Sequence, residues 1–256
     1  MSCLNRLGNK RKLVNKILPF FLPHETYIEP FFGAGALFFA KPLAKQSFLN
    51  DLDSDVYNLW DILAKDKQGL IEWVELMPVS EQLFKEWGKG KQETDPILKA
   101  VRFLMLSNFG YMGMLGMLHI VQCKDSKSAL LKAIKKTLLN QKGVLISNKD
   151  FRKAIKDINF REETHRKKCF MYLDPPYLGT TDNYSHSFTE QDSADLFQVA
   201  VDSRIPFAMS EFNHPFILEQ AAHHNLTVNI LGERRTMKTR QTEILITSYK
   251  PSQTLF

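Results

Sequence analysis

The sequence is poor in cysteine, with only three in 256 residues, at positions 3, 123 and 169. They are odd in number and lack metal-ligand spacing, which argues against a disulfide framework and favours reduced thiols in the cytoplasm. No stretch reaches the roughly 18 continuous apolar residues of a membrane span. The basic N-terminal segment also lacks the uninterrupted apolar region of a signal peptide. We therefore expect a cytoplasmic protein with no membrane partner.

The charge balance is mildly basic, with 34 Lys and Arg against 28 Asp and Glu and a net charge of +6. Such an excess is compatible with a polyanionic partner, although many ordinary proteins share it. The hydrophobic content of 44% is enough for a substantial core, in one large domain or in one domain with an insert. No metal-ligand cluster stands out among the seven histidines, so no metal is expected.

The periodicity of apolar residues predicts strands alternating with helices at both ends of the chain, and helices alone over residues 67–145. This pattern indicates an α/β sheet interrupted by a helical insert. A short amphipathic helix is predicted over residues 10–22, ending near Pro19, and another helix begins at 36–40. Strands are predicted at 27–28, 47–53, 144–151 and 170–173, in "PFAMSEF", and in a closing pair formed by "LTVNILGER" and "TEILITSYK".

The stretch "CFMYLDPPYLG", residues 169–179, places an acid directly after a buried strand. Ligands of open α/β sheets bind outside the carboxyl ends of the strands, where Asp174 would lie. Pro175 and Pro176 have a fixed φ and no N–H, so they end the strand and orient the neighbouring carbonyls. A carboxylate, a carbonyl and the Tyr177 ring suit a planar ligand with an NH₂ group, such as a nucleobase. The alternative is a turn in which Asp174 caps the next element and Tyr177 packs on the surface.

The stretch "FFGAG", residues 31–35, places Gly33 and Gly35 between a predicted strand and a predicted helix. Such glycines permit close approach of a ligand to the backbone at a helix N-terminus. Asp51 ends the next strand, where an acid typically binds a ribose hydroxyl. Because the full G-x-G-x-x-G is missing, a nucleoside-bearing cofactor is favoured over a dinucleotide. Taken separately, the glycine turn and Asp51 each also fit a purely structural role between a strand and a helix.

Taken in order, the motifs resemble those of the Dam-type DNA adenine-N6 methyltransferases, the D12 class, α group. The resemblance covers most of the chain. The segments that carry it are "GNKRKL" (8–13), "EPFFGAGALFF" (29–39), "NDLDSDVYNLW" (50–60), "FLMLSNFGYMGM" (103–114), "NKDF" (148–151), "DPPY" (174–177), "YSHSFTEQDSADL" (184–196) and "RRTMKTRQTEILITSYK" (234–250).

The resemblance implies a Rossmann-like methyltransferase sheet formed by residues 1–60 and 145–256, with a helical target-recognition insert at 61–144. It implies transfer of a methyl group from S-adenosyl-L-methionine to adenine N6, leaving S-adenosyl-L-homocysteine, without a metal. It further implies double-stranded DNA as the partner and a monomer in solution. Asp174 and the Pro175 carbonyl would accept the two N6 hydrogens, and the flipped adenine would stack on Tyr177.

The resemblance also assigns roles to individual residues. The catalytic residues would be Asp174, Pro175, Pro176 and Tyr177. The cofactor contacts would be Gly8, Asn9, Lys10, Phe31, Phe32, Gly33, Ala34, Gly35, Asp51, Asp150, Phe151 and Asp174. The DNA contacts would be Asn108, Tyr184, Ser187, Phe188, Arg234, Arg235 and Lys238, with Lys89, Lys91, Lys124, Lys127 and Arg240 as further candidates for phosphate. Without the resemblance, Lys10 would be interpreted as a solvated charge, and Phe31 and Phe151 as core.

The chain departs from the family's pattern in the insert. Similar members carry an Asn-Arg pair and an Arg-Tyr-Asn run, where this chain has Ser107, Asn108 and Phe109 and then "MLGMLHI". This affects the expected target sequence and leaves the catalytic motif intact.

Three alternatives to DNA methylation remain at this stage. The first is methylation of RNA adenine or of a protein glutamine, although relatives acting on glutamine usually begin the motif with Asn instead of Asp174. The second is a catalytically silent DNA-binding relative. The third, more distant, is a nicotinamide-dependent enzyme.

Overall fold

The computed structural model describes residues 2–5, 8–90, 92–110, 123–137, 139, 143–160, 162–178, 188–235 and 240–251, and the backbone alone at 123–126, 234 and 235. Its centre is a seven-stranded sheet with the order β3-β2-β1-β4-β5-β7-β6. The strands are β1 (Thr26–Glu29), β2 (Gln46–Asn50), β3 (Val144–Ser147), β4 (Cys169–Leu173), β5 (Phe207–Phe212), β6 (Thr227–Arg235) and β7 (Arg240–Thr247).

The strand directions are mixed. β1 runs parallel to β2 and to β4, and β4 runs parallel to β5. β7 is antiparallel to both of its neighbours, β5 and β6. The Rossmann-like α/β fold class predicted from the sequence is confirmed by this sheet.

Helices connect the strands and form most of the middle of the chain. Their bounds are α1 (Val14–Ile17), α2 (Ser54–Lys65), α3 (Lys67–Leu76), α4 (Glu81–Gly88), α5 (Pro96–Phe109), α6 (Cys123–Lys136), α7 (Phe151–Lys156), α8 (Glu163–Arg166), α9 (Glu190–Asp202) and α10 (Pro215–His223). The helical character predicted for residues 67–145 corresponds to α3, α4, α5 and α6.

The central strand β4 is apolar along its whole length. All five of its residues are buried, which explains the continuous run "CFMYL" in place of an alternating pattern. β5 is likewise buried throughout. Side chains from α9 and α10, including Leu196, Phe197 and Ile217, pack with these strands in the hydrophobic core.

Three local predictions were wrong. The helix predicted from residue 36 is only a short 3-10 turn, Phe38–Ala40, because Pro42 disfavours the helical conformation for Lys41, whose backbone is extended. The strand predicted over 144–151 ends at Ser147, and Phe151 begins α7 because the Asp150 side chain accepts the Arg152 N–H as an N-cap. The single helix predicted over 10–22 is broken into α1 and two 3-10 turns, one containing Pro19.

The chain divides into two compact units. The first comprises Met1–Val14, Gly33–Leu43 and Asp53–Ile146, and the second comprises Asn15–Phe32, Ala44–Leu52 and Ser147–Phe256. Residues 61–144 lie in the first unit, and their role as a target-recognition insert stays a prediction. None of the helices in the described ranges has the length and apolar character needed to span a bilayer.

Candidate active site

The second unit carries most of the predicted chemistry at one edge of the sheet. Because β1, β4 and β5 are parallel, their carboxyl ends lie together, and we call this side of the sheet the carboxyl edge. β7 runs the other way, so its first residues lie at the same edge, with Glu243 paired opposite Phe212 of β5. Polar groups at this edge are therefore supplied by strand ends and by the beginning of β7.

The Asp-Pro-Pro-Tyr segment leaves the sheet at the carboxyl edge. Asp174 follows Leu173, the last residue of β4, and is partly exposed between buried neighbours. Pro175 and Pro176 cannot donate to a ladder, and the chain is irregular from Asp174 to Tyr177. The segment thus presents a carboxylate and a carbonyl of restricted orientation at the end of the central strand, where the sequence predicted them.

Tyr177 is buried, with a relative exposure of 7%, so the alternative interpretation as a surface residue is wrong. Its hydroxyl donates to Glu243 Oε1 over 2.5 Å. Its ring packs edge-to-face against Phe212, with 4.6 Å between centroids and 79° between the planes. Since Phe212 and Glu243 are directly opposed across β5 and β7, one cross-strand pair holds both the ring and the hydroxyl of Tyr177.

A row of acids lines the carboxyl edge. Glu29, Asp174, Glu211 and Glu243 belong to β1, to the segment after β4, to β5 and to β7, which are four consecutive positions in the sheet order. Glu29, Glu211 and Glu243 are buried. Buried carboxyl groups are costly unless they are hydrogen-bonded, so a row of them at one edge of a sheet is typical of a functional site.

Tyrosine hydroxyls accompany these acids. Tyr27 donates to Glu29 Oε2 over 2.9 Å, and the Tyr172 hydroxyl is 2.7 Å from Ser210 Oγ. Burial raises the pKa of Tyr177 well above its usual range, and the charges of Asp174 and Glu243 raise this pKa further. Burial likewise raises the pKa of Tyr27 and of Tyr172. These phenols therefore stay protonated, and Tyr27 and Tyr177 act as hydrogen-bond donors to Glu29 and Glu243.

Asn50, at the end of β2, joins three strand ends. Its Nδ2 donates to the carbonyls of Pro30 (3.0 Å) and Lys149 (2.9 Å), which follow β1 and β3. Its Oδ1 accepts from Ser147 Oγ (2.8 Å) and from the Lys149 N–H (3.0 Å). This buried amide fixes the course of the chain beyond β1 and β3.

The next residue, Asp51, was predicted as a ribose contact. It is partly exposed at the end of β2, and its N–H donates to the Ser147 carbonyl over 3.2 Å. The Asn148 amide donates to the carbonyls of Asp51 (2.7 Å) and Leu52 (2.9 Å), which holds the backbone after β2 in place.

Three phenylalanines form an aromatic cluster in the second unit. The Phe31 and Phe151 ring centroids are 5.4 Å apart, and Phe188 lies 6.1 Å from Phe31 and 5.9 Å from Phe151. Phe151 is buried, whereas Phe31 and Phe188 are only partly buried. Partly exposed faces beside Phe151 give a planar ligand an apolar surface to pack against. Phe32 is buried, and its N–H donates to the Asn50 carbonyl.

Arg152 connects this cluster to α9. Its guanidinium lies 4.4 Å from the centre of the Phe151 ring. It donates to Asp192 (2.6 Å) and Asp195 (2.8 Å) of α9 and to Asp150 Oδ2 (3.1 Å). Asp150, predicted to bind the cofactor adenine, therefore uses its carboxylate to cap α7 and to pair with Arg152.

In the first unit, the predicted cofactor segment Gly8–Asn9–Lys10 is tightly folded. Gly8 has a φ of +85°, the Asn9 side chain accepts the Arg11 N–H, and Lys10 Nζ donates to the Gly8 carbonyl over 3.3 Å. Lys10 has a relative exposure of only 4%, so the interpretation as a solvated charge is wrong. A buried ammonium is typical of a binding or structural role.

The glycine turn, residues 33–35, also belongs to the first unit. Gly33 and Gly35 have φ of +47° and +63°, and Ala34 between them is buried. The buried Trp60 ring donates from Nε1 to the Gly33 carbonyl over 2.9 Å, which anchors the turn to α2. No heavy atom of the described residues lies within 4 Å of where a Cβ on Gly33 would stand, so the space beside it is open.

The predicted DNA contacts are only partly described. Phe188 lies in the aromatic cluster, and the Asn108 amide donates to the carbonyls of Leu104 (2.9 Å) and Cys3 (3.3 Å) in the first unit. Lys127 Nζ donates to the carbonyls of Glu75 and Met77 at the end of α3. Lys89 is exposed, and the exposed Arg240 lies 3.6 Å from Glu233. Outside the described residues or side chains lie Tyr184, Ser187, Lys91, Lys124, Arg234, Arg235 and Lys238.

Sequence reasoning missed several residues of the site. Glu243 and Phe212 hold Tyr177, and Asn50 and Arg152 organise the strand ends and α7. An acid in a closing strand that is otherwise apolar, as in "TEILIT", was the available signal for Glu243. A polar amide at the end of a buried strand was the signal for Asn50.

Within the described part of the chain, no group of three or more His, Cys, Asp or Glu side chains has the arrangement of a metal site.

Comparison with known proteins gives the following similarities. A family model described as D12 class N6 adenine-specific DNA methyltransferase matches residues 7–244. The DNA adenine methylase of Escherichia coli (strain K12) is 24% identical over 273 residues, covering 95% of this chain and 93% of that protein. The type II methyltransferase M1.LlaDCHI of Lactococcus lactis subsp. cremoris is 26% identical over 281 residues, covering 94% and 93%. Among solved structures, the rRNA methyltransferase aviRa from Streptomyces viridochromogenes aligns with a TM-score of 0.39 at 11% identity, covering 95% and 85%.

Proposed function

We propose that this chain, which belongs to the D12 class N6 adenine-specific DNA methyltransferases, transfers a methyl group from S-adenosylmethionine to the N6 atom of an adenine flipped out of duplex DNA. The observation that carries the proposal is the position of Asp174, partly exposed at the carboxyl end of the central strand and followed by two prolines. Among the alternatives, this position favours an enzyme over a silent binding protein, because the carboxylate remains accessible.

Asp174 and the Pro175 carbonyl are the two acceptors of the site. The lone pair of adenine N6 is delocalised into the ring, which makes the amine a poor nucleophile. Hydrogen bonds from both N6 hydrogens to these two acceptors favour a tetrahedral nitrogen with its lone pair free for attack. The Asp174 carboxylate also stabilises the positive charge that develops on the amine. The rest of the acceleration comes from holding the amine in one orientation.

The second unit offers groups that fit a nucleoside. Phe31 and Phe151 provide an apolar surface for the cofactor's adenine, and Asp51 at the end of β2 is the candidate acceptor for ribose hydroxyls. Asp150 has an Arg152 partner and is 43% exposed in its side chain, which leaves its carboxylate accessible to an adenine amine. When bound, S-adenosylmethionine supplies an electrophilic methyl group on a positively charged sulfur.

The first unit supplies the remaining predicted cofactor contacts. The buried Lys10 fits an anionic group such as a carboxylate, and the open space beside Gly33 allows a ligand to approach the backbone. Gly8, Asn9, Ala34 and Gly35 shape these two turns.

The substrate base has to leave the duplex before it reaches Asp174, because N6 is paired inside the helix. We infer that Tyr177 offers its ring to the flipped adenine and that residues 178–188, with Tyr184, Ser187 and Phe188, close over it. Arg234, Arg235, Lys238 and Asn108 are the proposed contacts to the remaining DNA. Double-stranded DNA is the proposed partner, and the chain is proposed to act as a cytoplasmic monomer.

The direct test is transfer of tritiated methyl from S-adenosylmethionine to unmethylated genomic DNA, with the modified bases mapped by sequencing. RNA and protein are assayed in parallel. Asp174→Ala is expected to lower the rate by about a hundredfold or more, as loss of a preorganised electrostatic group does. Asp174→Asn, which keeps one acceptor oxygen, should retain more activity than Asp174→Ala.

Asp157→Ala is the matched control, because Asp157 pairs with Lys149 at an exposed position after α7 and should leave the rate unchanged. Label in DNA adenine N6 that depends on Asp174 supports the proposal. Label that appears only in RNA or in protein, or equal rates for Asp174→Ala and the native chain, would contradict it.

A further inference from the structure

Tyr177 and Glu243 are 66 residues apart in the sequence, yet their side chains share a 2.5 Å hydrogen bond. The contact exists because β7 enters the sheet antiparallel to β5 and brings Glu243 opposite Phe212. The Tyr177 ring meets Phe212 edge-to-face at 4.6 Å, so it is held at its hydroxyl and on its ring. Both contacts are buried, since the exposures of Tyr177, Phe212 and Glu243 are 7%, 6% and 0%.

Such a double contact fixes the tilt of an aromatic ring. A buried phenol needs an acceptor, and without one the side chain turns towards water to satisfy its hydroxyl. Burial and the nearby carboxylates keep the Tyr177 hydroxyl protonated, because they raise its pKa. The hydroxyl therefore remains a donor over the whole physiological range.

The orientation of Tyr177 also affects the positions of the two proposed amine acceptors, Asp174 and the Pro175 carbonyl. Tyr177 is separated from Asp174 by two prolines, whose fixed φ makes the segment stiff. A rotation of the tyrosine backbone therefore moves the Pro175 carbonyl as well. Anchoring Tyr177 keeps the stacking surface and the amine acceptors in one fixed relation.

We propose that Glu243 is a positioning residue of the methyl transfer, which holds the Tyr177 ring, together with Phe212, in the orientation that receives the flipped adenine. This inference rests on the proposed function. Glu243 touches neither substrate nor cofactor in this account, and its effect reaches the reaction through the tyrosine hydroxyl.

The test is a double-mutant cycle with Tyr177→Phe, Glu243→Met, which removes the oxygen acceptor, and the double variant. Tyr177→Phe keeps the ring and removes only the hydroxyl. The measurements are kcat, the KM for S-adenosylmethionine, the melting temperature, and the fluorescence of 2-aminopurine placed at the mapped target adenine. That base is quenched when it stacks on an aromatic ring, so its fluorescence reports the stacking directly.

Each single variant is expected to lower kcat about tenfold, the effect of one lost hydrogen bond to a charged group. The KM for S-adenosylmethionine should stay within about twofold, because the cofactor contacts are elsewhere. The 2-aminopurine signal should rise as the ring loosens. The double variant should be no slower than either single variant, because both changes remove the same interaction.

Glu29→Gln serves as the matched control. Glu29 is a buried acid of the same row, and its Oε2 accepts from the Tyr27 hydroxyl over 2.9 Å. Its effect on kcat should multiply with that of Tyr177→Phe. If Glu243→Met also multiplies with Tyr177→Phe, the two side chains act independently and the inference is wrong.

Two further outcomes are decisive. If Tyr177→Phe has the kcat and the 2-aminopurine signal of the native chain, the hydroxyl contact has no role in positioning, even where Glu243→Met does not fold. If the native chain methylates no adenine, the proposed function itself fails, and the inference fails with it. If the native chain is active and none of the variants in the cycle differs from it in kcat, the inference is wrong but the proposed function stands.

Discussion

At the scale of single residues, Phe151 and Phe160 form a natural pair for testing the cofactor site. Both pack against the core of the second unit, and each has an arginine over its ring, Arg152 at 4.4 Å and Arg166 at 5.0 Å. Only Phe151 has the rings of Phe31 and Phe188 within 6 Å, at 5.4 and 5.9 Å. The two residues thus differ in their place in the aromatic cluster.

Phe151→Leu is expected to weaken the binding of S-adenosylhomocysteine about fivefold to tenfold, because it removes a stacking surface. Phe160→Leu should change the affinity by less than about twofold, although it costs core packing. Isothermal titration of both variants measures the difference. Equal affinities for the two would show that the cluster is only core.

Among the site residues, those marked by a local sequence pattern could be predicted, and those placed by long-range packing could not. Asp174 and the two prolines were predictable because the signal is local, an apolar strand followed directly by its polar end. Glu243 was not predictable, because its contact with Tyr177 depends on the pairing of β7 with β5, far away in the sequence. The buried state of Lys10 was hidden for the same reason, since burial follows from packing and not from neighbours in the chain.

At the scale of secondary-structure elements, α9 begins with an interlocked cap. Thr189 and Asp192 form a capping box, in which each side chain accepts the backbone N–H of the other. Arg152 of α7 donates to Asp192 over 2.6 Å. Burial alone would raise the pKa of Asp192, but hydrogen bonds from Thr189 and Arg152 outweigh it, so this pKa lies below its ordinary value of 3.8.

Asp192→Asn is expected to lower the free energy of unfolding at pH 7 by about 1 kcal/mol, the typical value of a helix cap. A carboxylate with a depressed folded-state pKa stabilises the protein above its unfolded-state pKa, and this contribution is lost as pH falls through the folded-state pKa. The gap between the native chain and the variant should therefore close below about pH 4. Urea unfolding from pH 7 to pH 3 measures it.

The control for this prediction is the same substitution in an Arg152→Met background. Without the guanidinium, the pH-dependent part of the gap should shrink and the cap alone should remain. A gap that is independent of pH in the native background would refute the role assigned to Arg152.

The elements themselves were predicted well where one periodicity dominates. β1, β2, β4 and β5 and the helices α3 to α6 lie where the apolar patterns placed them. The errors fall where a cap or a proline overrides the apolar pattern. The side-chain cap of Asp150 starts α7 inside a predicted strand, and Pro42 limits the helix predicted from residue 36 to a 3-10 turn.

At the scale of the whole molecule, the net charge of +6 makes a prediction about salt. A duplex bound through phosphates releases counterions, so its affinity falls steeply with ionic strength. We expect the KM for DNA to rise about tenfold or more between 50 and 200 mM salt. The KM for S-adenosylmethionine should change by less than about twofold over the same range, because that ligand carries little net charge.

Steady-state assays in the two substrates measure both constants. The cofactor serves as the internal control, because it reports any general effect of salt on the fold. Parallel changes in the two constants would contradict the assignment of a phosphate-dominated DNA contact.

The antiparallel entry of β7 has a consequence for synthesis. Glu243 lies on β7, the last strand in chain order within the described residues, whereas Asp174 and Tyr177 emerge from the ribosome some seventy residues earlier, as the spacing of 66 residues between Tyr177 and Glu243 requires. A nascent chain therefore exposes its Asp-Pro-Pro-Tyr segment before the side chain that holds the tyrosine has been translated. The contact that positions the Tyr177 ring can form only after β7 has been translated and has paired with β5.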